Sequence, residues 1–352
     1  MLQTVLKVYG LSTESCRVDS FGKGLINHTW VVNCDSKKYI LQCINQAVFK
    51  KPQLVASNIR SISAYLNKKH PGYHFVSPII SLTGEDMIRI ENEYYRLFPF
   101  VTASHSIEVV ETPQQAYEAA AQFGKFTRVL NEFDVRNLNI TIPHFHDLAL
   151  RYQQFITALE TGNKERIRQS EHLVSELHSY ATIVHEYKSL LSDKEFKIRV
   201  THHDTKISNV LFDEKDKGIC VIDLDTVMPG YFISDVGDMM RTYLSPVSEE
   251  ENDFSKIIVR EDFYKAIVDG YSLNMQDVLT NKEKQSFFFA GKFMIYMQAL
   301  RFLTDHLIDD IYYGAKYPGH NYVRANNQAV LLKELVKKEQ ALTNYGVNQD
   351  NP

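Results

Sequence analysis

Between Gln46 and Gly84 the chain contains neither aspartate nor glutamate. Other things are scarce too. There is one tryptophan, Trp30, and there are four cysteines, Cys16, Cys34, Cys43 and Cys220, with no CxxC spacing among them. That usage excludes a small disulfide-stapled scaffold and a zinc ribbon, and it reads as reduced, mostly buried thiols of a cytoplasmic protein. Basic residues are not in surplus: 39 Lys+Arg stand against 43 Asp+Glu, a formal net charge of −4. Nucleic acid is therefore not an expected partner, because neutralising phosphates needs a basic face. No apolar run approaches the ~18 residues of a membrane-spanning helix. The most apolar stretch, 287–300, is interrupted by Lys292 and reads as a buried helix, so a membrane is not an expected partner either. The first residues lack a basic segment followed by an uninterrupted apolar one, so a signal peptide is not expected.

What remains is an ordinary globular composition, 44% hydrophobic and 23% charged, with 20 Tyr and 20 Phe. At 352 residues the chain suits two domains or one two-lobed unit, at about 150 residues per domain. The first hundred residues read as strand-rich. Strands are expected at 17–21, 29–34, 38–44, 75–80 and 93–98, with a helix over 52–69 whose apolar residues recur at three and four. Beyond residue 104 the pattern is mainly helical: 112–131, 145–160, 165–191, 260–273, 278–313 and 324–344. One β-rich island, 197–225, interrupts it. The acidic run SEEEND at 248–253 reads as a solvated loop.

The island carries the chemistry. A strand ends in His202-His203-Asp204-Thr205-Lys206-Ile207-Ser208-Asn209, and a second apolar run ends in Asp223-Leu224-Asp225. Phosphoryl transfer needs a carboxylate to orient the attacking hydroxyl, a cation near the transferred group, and hard oxygen ligands for Mg²⁺. Asp204, Lys206, and the pair Asn209 and Asp223 have the residue types and the order for these roles. The five-residue step from Asp204 to Asn209 matches the kinase catalytic loop. Near the N-terminus, Gly22, Gly24 and Asn27 lie between two strand candidates, where a phosphate-covering hairpin would sit; an ordinary hairpin turn is the other reading.

Taken together, FGKGLINHTW, YILQCIN, HHDTKISNVLF, VIDLDTVMPG, DVGDMMR, ALRFLTDHL and GHNYVRANNQ resemble the aminoglycoside phosphotransferase/choline kinase-like superfamily, and within it the N-acetylhexosamine 1-kinases. The resemblance extends over nearly the whole chain. It implies an α+β, bilobal protein-kinase-like fold, with a small β-rich nucleotide-binding lobe over 1–100 and a larger, mainly helical catalytic and substrate-binding lobe over 101–352. It implies ATP and Mg²⁺ as cofactors and transfer of the γ-phosphoryl group to the anomeric hydroxyl of GlcNAc or GalNAc, a small-molecule sugar. Asp204 then matches the catalytic base, Asn209 and Asp223 the metal ligands, and Phe98 to Phe100 the hinge facing adenine. Asp235 matches a carboxylate that braces the catalytic loop; read from the residues alone it is equally an N-cap for a helix begun near Val236.

One feature departs from the kinase pattern. The third strand presents Gln42 where a lysine would face the nucleotide, and no acidic partner follows it before Glu85. A nucleotide-binding module without turnover is therefore a rival reading. A metal-dependent hydrolase built on His202-His203-Asp204 is another, and choline, homoserine and aminoglycosides remain alternative acceptors. Arg301 and Asp305, four apart on the 278–313 helix, read as a structural ion pair. By the resemblance, Arg301 and Tyr312 instead line the acceptor site.

Overall fold

Alternating β-branched and aromatic residues separated by short polar breaks make the opening of the chain a meander of antiparallel strands. In a computed structural model the described residues are all except Thr13, 22–26, Ser36, Asn344 and 346–352. Two compact units result. The first takes Met1–His105, Glu132–Pro143 and Leu211–Pro229; the second takes Ser106–Asn131, His144–Val210 and Gly230–Pro352.

The first unit opens with a helix that the sequence pattern does not announce, α1 (Leu2–Val8). Strands β1 (Cys16–Ser20), β2 (His28–Cys34) and β3 (Lys37–Cys43), helix α2 (Pro52–Lys69), and strands β4 (Ile88–Ile90) and β5 (Glu93–Pro99) follow. The sheet order is β1-β2-β3-β5-β4, antiparallel throughout. Val5 and Leu6 of α1 join Val32, Leu41, Ile88, Tyr95 and Leu97 of the strands in one buried cluster. The expected strand at 75–80 does not form. Pro78 has no N–H to give a ladder, and Ile79 makes a single backbone bond to Leu97 O at 2.6 Å. The thiol reading also needs correction. Cys16 and Cys34 stand opposite each other in the β1–β2 register and are joined as a disulfide, while Cys43 and Cys220 are free and buried. A sequence separation of 18 conceals a pairing that only the strand register creates.

After β6 (His105–Ser106) come α3 (Pro113–Val129), α4 (Leu148–Thr161), α5 (Lys164–Gln169), α6 (Glu171–Ser179) and α7 (Thr182–Ser192). The single helix expected over 165–191 is thus three, with Ser170 closing α5 and opening α6. Strands β7 (Arg199–Thr201), β8 (Val210–Phe212) and β9 (Gly218–Val221) fall within the island expected at 197–225, and β10 (Met228–Gly230) follows just beyond it. Helices α8 (Phe232–Tyr243), α9 (Glu261–Met275), α10 (Asn281–Lys284), α11 (Phe287–Leu307), α12 (His320–Lys337) and α13 (Glu339–Thr343) complete the second unit. α11 is buried along almost its whole length, as its apolar sequence requires, with α4, α8 and α12 packed on it. α3 and α9 approach closely through a glycine on each: a Cβ on Gly124 would lie 2.7 Å from Tyr271 O, and one on Gly270 would strike Tyr117 O. The arrangement is α+β, a β-sheet region followed by a mostly helical part. Among the described residues no helix is long and apolar enough to cross a membrane.

Candidate active site

The 202–209 loop is held by α8. Asp235 lies in the first turn of that helix, whose N-cap is Tyr231, so it is not the cap. Its two oxygens instead accept the backbone N–H groups of His202 (3.0 Å) and His203 (2.7 Å). His203 has φ +67°, a conformation that costs of order 1–3 kcal/mol in a non-glycine residue and persists only where its surroundings impose it. Gly230 is part of that imposition, since a Cβ there would collide with the His203 ring. One turn along α8, Asp238 Oδ2 accepts the Thr205 N–H at 2.8 Å, and the Tyr243 hydroxyl donates to Thr205 O at 2.6 Å. Burial drives the Asp235 carboxyl up to about 7, against the pull of the two N–H donors. Below the loop, Arg199 of β7 is paired with Glu283, both buried.

This scaffold presents Asp204 and Lys206. The Lys206 ammonium is 3.2 Å from Asp204 Oδ2, with the lysine side chain 45% exposed and the aspartate 16%. A carboxylate so placed can accept a proton at the protein surface while its neighbour carries positive charge outward. Asn209, itself buried, donates its amide to Asp204 O at 2.9 Å.

The second unit also builds a wall of rings and guanidinium groups. Arg301 of α11 makes no ion pair with Asp305. Its guanidinium lies over the rings of Phe145, Tyr312 and Tyr313, at 5.7, 5.9 and 5.4 Å from their centroids, and donates to Gln298 Oε1 at 3.2 Å. Among the described residues no carboxylate pairs with it. Tyr312 does not reach this place along a helix, as an unbroken helix over 278–313 would have it. α11 stops at Leu307, Asp309 and Asp310 take φ of +65° and +60°, and the returning chain offers the N–H groups of Tyr312 and Tyr313 to the carboxylate of Asp305 at 2.7 and 2.9 Å. Phe145 stacks on His146, 4.5 Å apart, and both rings stand beside His203, next in sequence to Asp204. Burial holds the His146 pKa well below the usual range, and the charges of His203, Arg301, Arg241 and Arg151 push it the same way. Phe145, His146 and Tyr313 are not legible in the sequence; an aromatic pair at a helix entrance and a tyrosine doublet carry no signal until Arg301 is seen among them.

The acidic run also departs from expectation. Glu249 is no solvated loop residue: it accepts from Arg241 at 2.8 Å and pairs with Arg324, while Asn327 holds the backbone carbonyls of Ser248 and Glu251. Arg241 in turn meets Asp238 at 2.9 Å. A ladder of alternating charge therefore runs from the 202–209 loop to the start of α12.

In the first unit, Asp223 follows β9 with φ +59° and an exposed side chain, opening a 3-10 turn over Leu224–Thr226. Asp225, two residues on, is buried and forms an ion pair with Arg96 Nη1 at 2.5 Å. Gln42 lies directly opposite Arg96 in the β3–β5 register, and its Oε1 accepts from Arg96 Nε and Nη2 at 3.0 and 2.8 Å. Asn27 donates to Asp225 Oδ2 at 2.7 Å. Phe98 and Phe100 are half-buried at the end of β5, Phe98 beneath the Arg96 guanidinium at 5.0 Å and Phe100 beneath Lys38 at 5.6 Å. Gly22 and Gly24 lie outside the described residues. Among those described, no group of three or more His, Cys, Asp or Glu side chains is arranged to hold a metal.

Comparison with known proteins bears on both units. Residues 17–274 match the model of the phosphotransferase enzyme family, abbreviated APH. Among solved structures, an aminoglycoside phosphotransferase from Alicyclobacillus acidocaldarius is similar over 97% of this chain and 96% of its own, at 14% identity and a TM-score of 0.65. A spectinomycin phosphotransferase in complex with ADP and spectinomycin is similar over 96% and 98%, at 16% identity and 0.60. Choline kinase from Cryptosporidium parvum is similar over 99% and 97%, at 12% identity and 0.57. These likenesses are of fold.

Proposed function

Because the chain belongs to the phosphotransferase enzyme family, we propose that it is an ATP-dependent kinase that phosphorylates the anomeric hydroxyl of an N-acetylhexosamine. In this reading Asp204 orients that hydroxyl and receives its proton, and Lys206 balances charge on the transferred group. Asn209 and Asp223 are the residues that would hold Mg²⁺, which when bound neutralises negative charge on the triphosphate. Gly22, Gly24, Asn27, Gln42, Phe98 and Phe100 belong to the nucleotide side, and Arg301 and Tyr312 to the acceptor side.

The observation that carries the choice of acceptor is the position of Arg301. Rings such as Phe145, Tyr312 and Tyr313 could cage a quaternary ammonium. Here a guanidinium of the protein already lies over all three, with no carboxylate paired to it among the described residues. A cationic acceptor would meet like charge from Arg301, beside which Arg151 adds a second guanidinium. A neutral sugar meets a rigid fork of donors for its hydroxyl and acetamido oxygens, and ring faces for its apolar edge. The test is ADP release, coupled to a spectrophotometric readout, with GlcNAc, GalNAc, glucose, choline, homoserine and kanamycin as acceptors. The reading expects release with the N-acetylhexosamines well above the others. Preferential release with choline or kanamycin would overturn it.

A further inference from the structure

Protein kinases pair a strand-three lysine with a helix glutamate to hold the nucleotide phosphates in place. This chain has glutamine in the first position and no acidic residue in its α2 segment to serve as the second. We propose that Arg96, acting through Asp225, replaces that pair as the buried positioning cation of the nucleotide site and fixes the turn that presents Asp223. The inference rests on the nucleotide-dependent reading above.

Gln42 decides what Arg96 can do. A lysine at this position would set a second cation against Arg96, directly across the β3–β5 pair. Glutamine supplies an acceptor instead, and Arg96 uses it with both Nε and Nη2. The remaining nitrogen, Nη1, goes to Asp225. The fork is thus committed between the sheet and the 224–226 turn, which a single ammonium could not do. Asp225 takes a further bond from Asn27, whose Oδ1 accepts the Asn45 N–H at 3.0 Å. The segment after Asp225 is tied as well. The Thr141 hydroxyl donates to Asp225 O at 3.1 Å, and Asn58 of α2, 1% exposed, donates to Val227 O at 3.0 Å. The helix therefore contributes a neutral amide to the turn where a kinase helix would contribute a carboxylate to a lysine. The two aspartates of Asp223-Leu224-Asp225 divide the work. The buried one is neutralised by Arg96, and the exposed one, in a left-handed backbone conformation, is set by the turn behind it.

A buried ion pair is weak evidence of a stabilising role, since apolar or neutral replacements of both partners often fold as well. That fact makes the test decisive. Arg96→Gln and Asp225→Asn each leave one buried charge unpaired and should lower the melting temperature. The double variant removes both charges and should recover most of it. Nucleotide affinity should not follow. Removing residues that orient a ligand set typically costs ~10–100-fold in affinity or activity, so the double variant should bind MgATP in that range more weakly by calorimetry, with KM for the acceptor little changed. Arg96→Lys, which keeps the charge and loses the fork, should fold and show a raised KM for MgATP. Wild-type MgATP affinity in the double variant, or an unaltered MgATP KM in Arg96→Lys, would overturn the proposal and leave the pair as scaffold. Absence of MgATP binding by the wild-type protein would overturn the kinase reading itself, and the inference with it.

Discussion

Asp235 accepts the backbone N–H of His203 at 2.7 Å, although His203 is held at φ +67°. The carboxylate and the strained backbone belong together: the bond fixes the residue before Asp204 in a conformation it would not otherwise keep. Burial raises the Asp235 pKa to about 7, whereas the unfolded chain has a value of about 4. The folded state therefore holds the extra proton between these values. Its stability contribution is complete below about pH 4 and is lost as pH rises through about 7. Asp235→Asn cannot titrate. The melting-temperature advantage of wild type over this variant should be larger at pH 5 than at pH 8, as read by calorimetric scans at both. An advantage that grows with pH would show the carboxylate to be ionised throughout.

The Glu249 bridge makes the opposite prediction. Burial would raise its pKa, but the guanidinium groups of Arg241 and Arg324 outweigh burial and hold it below the usual carboxylate range. Its contribution is present above the unfolded value and is lost as pH falls through the folded one. Glu249→Gln should cost about 1.5–3 kcal/mol at neutral pH, the range for charged hydrogen bonds. The difference from wild type in denaturant unfolding should narrow as the pH falls below the ordinary glutamate range.

Gln42→Lys restores the residue type of a kinase third strand, yet it should harm this protein. The new ammonium would face Arg96 and remove the acceptor for its Nε and Nη2. A lower melting temperature and a raised KM for MgATP, with a smaller change in acceptor KM, are expected from steady-state kinetics. A gain in MgATP affinity would show that the position tolerates the kinase lysine.

Arg301→Lys keeps the charge and removes the flat fork that lies over Phe145, Tyr312 and Tyr313. The acceptor KM should rise well above wild type while the KM for MgATP and the melting temperature hold. Unchanged acceptor kinetics would make Arg301 part of the helix scaffold.

These sites differ in how far the sequence discloses them. The strand-rich opening, α2 over 52–69 and the Asp204-to-Asn209 loop are all legible, because local periodicity and motif spacing determine them. The Asp235 brace is legible only as one of two roles, since a helix N-cap and a helix first-turn carboxylate look alike until the helix start is known. Arg96 gives no signal. Its partner Gln42 is 54 residues away in sequence and Asp225 is farther still, so the pair exists only once β3 and β5 align. Likewise Tyr312 comes beside Arg301 through the positive-φ turn at Asp309 and Asp310, which a helical reading of 278–313 hides. Glu249 reads as solvated because its two arginine partners lie on α8 and α12.

The most direct test of the account is the structure of the product formed, with Asp204→Asn as the control. General-base groups contribute about 10²–10⁴-fold, so the variant should lose at least that lower factor in kcat while melting like the wild type and binding MgATP. Incubation of the wild-type protein with ATP, Mg²⁺ and GlcNAc or GalNAc, followed by phosphorus NMR, should show a sugar phosphate whose phosphorus couples to the anomeric proton, and the signal should be absent with Asp204→Asn over the same time. A phosphorus signal coupled to any other sugar position, or equal product from the variant, would contradict the account.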